Sequence, residues 1–133
     1  MKALKNCYGF TMIELMIALF VTALAIVGYI GANIAIQRSS EERHERTVAI
    51  QDASRVIEQM RSAAQSGTFP GNVTSAFPNN GNVSGFSNLT SEQVTVSYTD
   101  STADPLDATV TVTWQSYTDR QSTASLRTYL TQR

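Results

Sequence analysis

The sequence contains very few of the side chains from which catalytic and metal centres are built. Its 133 residues include a single cysteine, Cys7, and a single histidine, His44. A disulfide within the chain, a cysteine/histidine zinc cluster and any site that needs two of either residue are therefore excluded. A glycine-rich phosphate loop and a nucleophile elbow are missing as well. We predict that the chain is not an enzyme and that it needs no cofactor.

An excess of positive charge is also missing. Ten lysine and arginine residues stand against eleven aspartate and glutamate residues, which gives a formal net charge of −1 at pH 7. A protein that binds nucleic acid through bulk positive charge is strongly basic instead. No nucleic-acid partner is therefore expected.

What the sequence does have is a long apolar run near its start. Between Phe10 and Ile36 there is no basic side chain and one acidic side chain, Glu14. These 27 residues form roughly 40 Å of helix at about 1.5 Å each, more than the ~30 Å hydrocarbon core of a bilayer requires. Lys2 and Lys5 precede the run, so the positive-inside bias predicts a single span with a cytoplasmic N-terminus.

Glu14, the one charged residue of this run, indicates that the span does more than anchor the chain. An ionised carboxylate in hydrocarbon costs a few kcal/mol or more and normally has a partner, but the run offers no basic side chain. Cleavage after Gly9 makes Phe10 the new N-terminus, one helical turn before Glu14. Opposite charges ~4 Å apart at an effective dielectric of ~20 attract by about 4 kcal/mol. The first helical turn also favours a carboxylate through its unpaired amides and the helix dipole.

A cleaved secretory signal is the competing interpretation of the same run. Ala23-Leu24-Ala25 fits the small-x-small pattern of a cleavage site. Release there would yield a soluble secreted binding module that begins at Ile26. However, the apolar run continues through Ile30, so this cleavage would leave an apolar new terminus.

The segment Gly9-Phe10-Thr11-Met12-Ile13-Glu14-Leu15, after a short lysine-bearing leader, resembles the class III signal of bacterial type IV pilins and type II secretion pseudopilins. The resemblance implies that a prepilin peptidase cuts between Gly9 and Phe10 and methylates the amine of Phe10. It also implies that Glu14 neutralises the amine of a neighbouring subunit during assembly. Cys7 would be discarded with the leader.

The resemblance further implies the partners and the location. The partners are the prepilin peptidase, other pilin or pseudopilin subunits through the N-terminal helix, an inner-membrane assembly platform and the lipid bilayer. The chain would cross the bacterial inner membrane once with a periplasmic head, and would become part of an extracellular pilus after assembly.

Two further stretches, Ala53–Arg61 and Ser125–Leu130, look similar to minor pilins of the V type. The expected function is a structural minor pilin that is assembled into a type IV pilus or initiates it. A minor pseudopilin of a type II secretion system is the alternative, because both systems use the same signal.

Helical signals continue past the apolar run. Gln37–Ser66 contains no proline or glycine, and it carries one apolar stripe. The pairs Glu42/Arg46 and Arg55/Glu58 stand at helical spacing. Gly67 is a helix stop, and the stretch to Ser91 is dense in Gly, Pro, Asn and Ser, which predicts one long loop. The stripe residues are Ala49, Ala53, Val56, Ile57, Met60 and Ala64.

Period-two alternation then predicts three strands, near 93–99, 108–116 and 122–130, joined as an antiparallel meander with Trp114 in the core. The predicted fold is α+β and pilin-like: a long N-terminal transmembrane helix with a small three-stranded antiparallel sheet packed on its C-terminal half. The predicted segments are the leader 1–9, the transmembrane half of the helix 10–36, its amphipathic half 37–66, and the αβ loop and sheet head 67–133.

The head offers weak candidates for chemistry. Asp100, Asp104 and Asp107 lie close together in the sequence and have the hard oxygen ligands that calcium prefers, but their spacing matches no EF-hand. We therefore expect no metal site. Asn-x-Ser/Thr triplets begin at Asn72, Asn82 and Asn88.

Overall fold

The computed structural model describes residues 11–117 and 119–132. The predicted α+β class is confirmed, with an antiparallel sheet packed on the C-terminal half of a long N-terminal helix. The described chain divides into two compact units, with the boundary between Ser39 and Ser40. The elements in chain order are α1 (Met12–Gln65), α2 (Gly71–Ala76), β1 (Gly81–Asn82), β2 (Gln93–Tyr98), β3 (Leu106–Gln115) and β4 (Gln121–Leu130).

The sheet has the order β1-β2-β3-β4, and every neighbouring pair is antiparallel. The three predicted strands are confirmed to within two residues, but the count of three is wrong. The fourth strand, β1, has only two residues and therefore shows no period-two pattern. Its Gly81 is required, because a Cβ there would lie 2.8 Å from the carbonyl oxygen of Pro78.

The prediction of one long loop over 67–91 is also wrong, because this segment contains α2 as well as β1. The helix α2 lies directly after Pro70 and buries Val73 completely. Phe69 and Phe77 flank it and pack partly buried against the core. A six-residue helix is too short to show helical periodicity, and its apolar anchors are scattered among turn residues.

The core of the second unit lies between the apolar stripe of α1 and one face of the sheet. Inward side chains alternate along β3, from Leu106 to Trp114, as the pleat of a half-buried strand requires. Cross-strand pairs such as Val94 with Val112 and Val96 with Val110 stack β-branched side chains on that face. The helix contributes Ala49, Ala53, Val56, Ile57, Met60 and Ala64, all of them predicted stripe residues.

The ion pairs on α1 differ from the predicted ones. Arg55 lies 3.5 Å from the carboxylate of the buried Asp52, whereas Glu58 pairs with Arg61 at 2.6 Å. Arg55 therefore does not pair with Glu58 among the described residues, and neither do Glu42 and Arg46 pair there. The two observed pairs span i,i+3, and the exposed one, between Glu58 and Arg61, contributes only about a few tenths of a kcal/mol.

Candidate functional site

The first unit presents an uncovered apolar surface. Every large apolar side chain from Met12 to Ile36 is at least 45% exposed within the described chain. Helix α1 is long and apolar enough near its N-terminus to cross a membrane, and its most apolar stretch is entirely unburied. This surface requires lipid or other protein as its surroundings, since water is an unfavourable solvent for it.

Two polar side chains within this apolar surface each donate a hydrogen bond to their own helix. The hydroxyl of Thr22 donates a 2.7 Å hydrogen bond to the carbonyl of Ala18, and the amide of Asn33 donates a 3.0 Å bond to the carbonyl of Tyr29. These bonds pair the Thr22 hydroxyl proton and one N–H of Asn33, which lowers the cost of placing them in hydrocarbon, where an unpaired polar group is unfavourable.

Glu14 is different, because it lies in the first turn of α1 and is exposed. Its backbone amide donates to the carbonyl oxygen of Thr11 at 3.1 Å and to the Thr11 hydroxyl at 3.4 Å, which caps the helix start. Its carboxylate has no partner among the described residues. Gly9 and Phe10 lie outside the described residues, so the cleavage and methylation sites stay predictions.

A second cluster of polar contacts lies in the head, around Glu45 of α1. Its Oε2 accepts hydrogen bonds from the indole of Trp114 at 3.1 Å and from the hydroxyl of Ser116 at 2.7 Å. Its Oε1 accepts a 3.0 Å bond from the backbone amide of Tyr117. The single carboxylate therefore connects the helix to the end of β3 and the turn that follows.

These contacts favour the charged form of Glu45. Partial burial raises the pKa of Glu45, but the hydrogen bonds from Ser116, Trp114 and Tyr117, together with the charge of the neighbouring His44, outweigh that effect and hold the pKa below its ordinary value. The sequence analysis assigned Glu45 no contact with the sheet. Two signals pointed the other way: Glu45 lies four residues before Ala49 on the apolar stripe, and a buried tryptophan needs an acceptor for its indole N–H.

Asp52 is a second acid on the same stripe, and it is almost completely buried. Its Oδ2 accepts a 2.8 Å hydrogen bond from the side-chain amide of Asn88, which fastens the segment before β2 to the helix. The amide nitrogen of Asn72 likewise donates to the carbonyl oxygens of Ala63 and Ser66, the latter at 2.6 Å. The amides of Asn72 and Asn88 are thus used within the fold.

The three candidate calcium ligands form no common site: two of them bond to different groups of the protein, and the third is exposed. Asp100 accepts bonds from the amide and hydroxyl of Thr102, which lower its pKa. Asp107 has its pKa lowered mainly by hydrogen bonds from the Arg127 guanidinium, and Thr99 donates to it as well. Asp104 is exposed. Over residues 11–117 and 119–132, no three His, Cys, Asp or Glu side chains form a group that could hold a metal ion.

Comparison with known proteins identifies the N-terminal segment. A family model described as the prokaryotic N-terminal methylation motif matches residues 4–30, about a fifth of the chain. No curated protein and no solved structure matches. The motif supports a type IV pilin or pseudopilin precursor, a structural subunit that a prepilin peptidase processes and that assembles with other pilins. The matched residues include Gly9, Phe10 and Glu14 and end well before the head.

Proposed function

We propose that the chain is a minor pilin that is cut between Gly9 and Phe10, methylated on Phe10, and assembled into a type IV pilus or used to initiate one. The observation that carries this proposal is the methylation motif at residues 4–30, which coincides with an exposed apolar helix whose first turn holds Glu14. An anchor alone needs the apolar residues, but it does not need a carboxylate.

The assembly step follows from the charges at the helix start. After cleavage, the α-ammonium of Phe10 and the carboxylate of Glu14 are opposite charges within one helical turn. In an array of parallel helices, the carboxylate of one subunit reaches the ammonium of a neighbour only when the two helices have the correct axial offset. Pairing in a water-poor environment is worth several kcal/mol before desolvation is subtracted. The charge pair therefore selects the register in which apolar stems pack.

The remaining segments take complementary parts in this proposal. Residues 1–9 are the leader, 10–36 the membrane span, 37–66 the amphipathic half of the helix, and 67–133 the loop and sheet head. The head stays periplasmic until assembly and then forms the surface of the filament. V-type identity rests on the similarity of Ala53–Arg61 and Ser125–Leu130.

A minor pseudopilin of a type II secretion system is the second candidate, because the same motif marks both classes. The genes that surround this one discriminate between the two candidates, since pilus and secretion operons contain different partner proteins. The choice between them does not change the predicted processing of Gly9 and Phe10.

The proposal is tested by the N-terminus of the protein purified from its own cells. We expect a mature chain that starts at Phe10 with one added methyl group, measured by intact mass and N-terminal peptide sequencing. Gly9→Leu should leave the leader uncut, because the bulky side chain blocks the peptidase. Cys7→Ser, two residues away in the leader, is the matched control and should be processed normally. A mature chain that begins at Ile26 would establish the secreted module instead.

A further inference from the structure

The two edges of the sheet are treated differently by the fold. On the β2 side, Asn80 and Val83 donate backbone hydrogen bonds of 2.7 Å to the carbonyls of Val96 and Val94. The side chain of Asn79 accepts a 3.0 Å bond from the amide of Tyr98. Residues 79–83 therefore cover that edge along much of its length.

The β4 edge is open over ten residues. Pairing of β4 with β3 runs without a bulge from Leu106/Leu130 to Gln115/Gln121. In an antiparallel ladder, only every second residue of a strand bonds to a given neighbouring strand. The amide of Ser116 donates to the carbonyl of Arg120, which shows that on this ladder the even-numbered residues form those bonds. The even-numbered residues of β4 then bond to β3, and the odd-numbered ones point their N–H and C=O groups away from it. These outward groups have no backbone partner in the described chain; they belong to Gln121, Thr123, Ser125, Arg127 and Tyr129.

The usual protection against strand addition is missing from this edge. Natural sheets protect an open edge with proline, lysine, bulges or exposed charge, and β4 contains no proline and no lysine. Its one charged residue, Arg127, donates two hydrogen bonds to Asp107 on β3 and lies over the ring of Tyr129, with 5.6 Å between Cζ and the ring centroid. The guanidinium is exposed, but these bonds direct its charge across the sheet toward β3 and away from the open edge.

Cavities lie at both ends of this edge, each between β4 and α1. One, of about 350 Å³, is lined by Arg46 of the helix and by Gln121–Thr123 of the strand. The other, of about 440 Å³, is lined by Arg61 and Gln65 of the helix and by Tyr129–Thr131. Each volume accommodates side chains of a strand laid against β4.

The charges of the first cavity indicate what the added strand carries. Arg46 and Arg120 line it and pair with no carboxylate of the described residues. Glu42 and Glu45 line it too, but both oxygens of Glu45 already accept bonds from the β3 end. The exposed guanidinium groups of Arg46 and Arg120 are therefore available to donate to a carboxylate of a partner, beside the carboxylate of Glu42 that lines the same cavity.

We propose that the β4 edge binds an extended segment of another protein, which adds a fifth strand and places a carboxylate side chain beside Arg120. A second copy of this chain does not fit that description. Two copies that pair through this edge meet as β4 against β4, and β4 contains no acidic residue. A parallel β4 pair brings Arg120 against Arg120, and an antiparallel pair brings it to the Leu130 end. The proposal is independent of whether the chain is processed after Gly9.

Peptide selection on the full-length chain in phospholipid nanodiscs tests the proposal, with a phage-displayed library of random twelve-residue peptides as the probe. We expect enriched peptides with alternating β-branched residues and an acidic residue near one end. Ser125→Pro should weaken their binding about tenfold or more, because it removes one outward N–H that β3 does not use. Ser125→Ala keeps that N–H and is the matched control. Arg120→Gln should weaken the acidic peptides about fivefold.

A measurement on the unsubstituted chain keeps the test independent of how well the proline variant folds. Bound peptide should slow hydrogen exchange at the odd-numbered amides of β4 about tenfold or more and leave those of β2 unchanged. Peptides that leave the β4 amides unprotected, or that bind the folded proline and alanine variants equally well, would overturn the proposal, and so would a library that yields no binder. Selected peptides without an acidic residue would overturn the assigned role of Arg120.

Discussion

A single carboxylate, that of Glu45, connects α1 to the end of β3 through three hydrogen bonds. Glu45→Gln keeps the shape and loses the charge, so two charge-assisted bonds from buried groups become neutral or unpaired. We expect the free energy of unfolding to fall by about 1 to 3 kcal/mol. Urea unfolding in detergent at neutral pH measures it, with the fluorescence of Trp114, the only tryptophan, as the signal. Glu41→Gln, at an exposed position one turn earlier, should change stability by less than about 0.5 kcal/mol.

The same carboxylate predicts a pH dependence. Partial burial raises the pKa of Glu45, but the three hydrogen bonds and the charge of His44 together lower it by more, so the folded pKa lies below the ordinary 4.5. The stability that depends on this group is therefore fully present above the ordinary pKa and is lost as the pH falls through the lowered value. The stability difference between the unsubstituted chain and Glu45→Gln should stay constant from about pH 8 to 6 and shrink below about pH 4.5. A difference that persists unchanged to pH 3 would contradict the assignment.

At the residue scale, the sequence marks Glu14 as a candidate functional acid, whereas it does not reveal the contacts of Glu45 or Asp52. Glu14 is the only charge in a long apolar run, so its exceptional position is visible without coordinates. Glu45 and Asp52 lie among other charged residues of α1, and their partners outside the helix are 36 to 72 positions away in the sequence. Only the folded sheet shows which of these acids is bonded.

At the scale of elements, the C-terminal end of α1 depends on Asn72, whose amide binds the carbonyls of Ala63 and Ser66. Gly67 assists this end through its φ of +106°, which side chains rarely adopt. Asn72→Ala should leave these terminal carbonyls without that donor and lower the stability of the head by about 1 kcal/mol, or about 5 °C in melting temperature. Circular dichroism of the full chain measures it. Asn82→Ala, at an exposed position of β1, should have the melting temperature of the unsubstituted chain. An equal fall in melting temperature in both variants would contradict the assigned cap.

Elements with a repeated pattern were predictable, and those without one were not. The helix α1 and strands β2, β3 and β4 each contain several turns or several alternations, so their apolar spacing is unambiguous. In contrast, α2 and β1 are held by tertiary contacts: Val73 enters the core and residues 80–83 bond to β2. The local sequence of α2 and β1 therefore does not indicate these contacts.

At the scale of the whole molecule, the proposed function makes Glu14 a residue for assembly. Glu14→Val should leave membrane insertion intact, since an apolar residue replaces an unfavourable charge in the span. Incorporation into filaments should fall about tenfold or more, because the pairing of opposite charges is lost. The measurement compares the variant protein in sheared filaments with that in the membrane fraction. Thr22→Val is the matched control on the same apolar surface and should be recovered normally, whereas normal recovery of Glu14→Val would refute the role.

The hydroxyl of Thr22 donates to a carbonyl of its own helix, so this donor needs no partner on a neighbouring helix. In the proposed function, such internal pairing separates storage in the bilayer from recruitment. Stored chains then do not associate through that hydroxyl, and polymerisation depends on the ionic contact of Glu14. A pool of subunits can accumulate in the membrane under the control of a single contact.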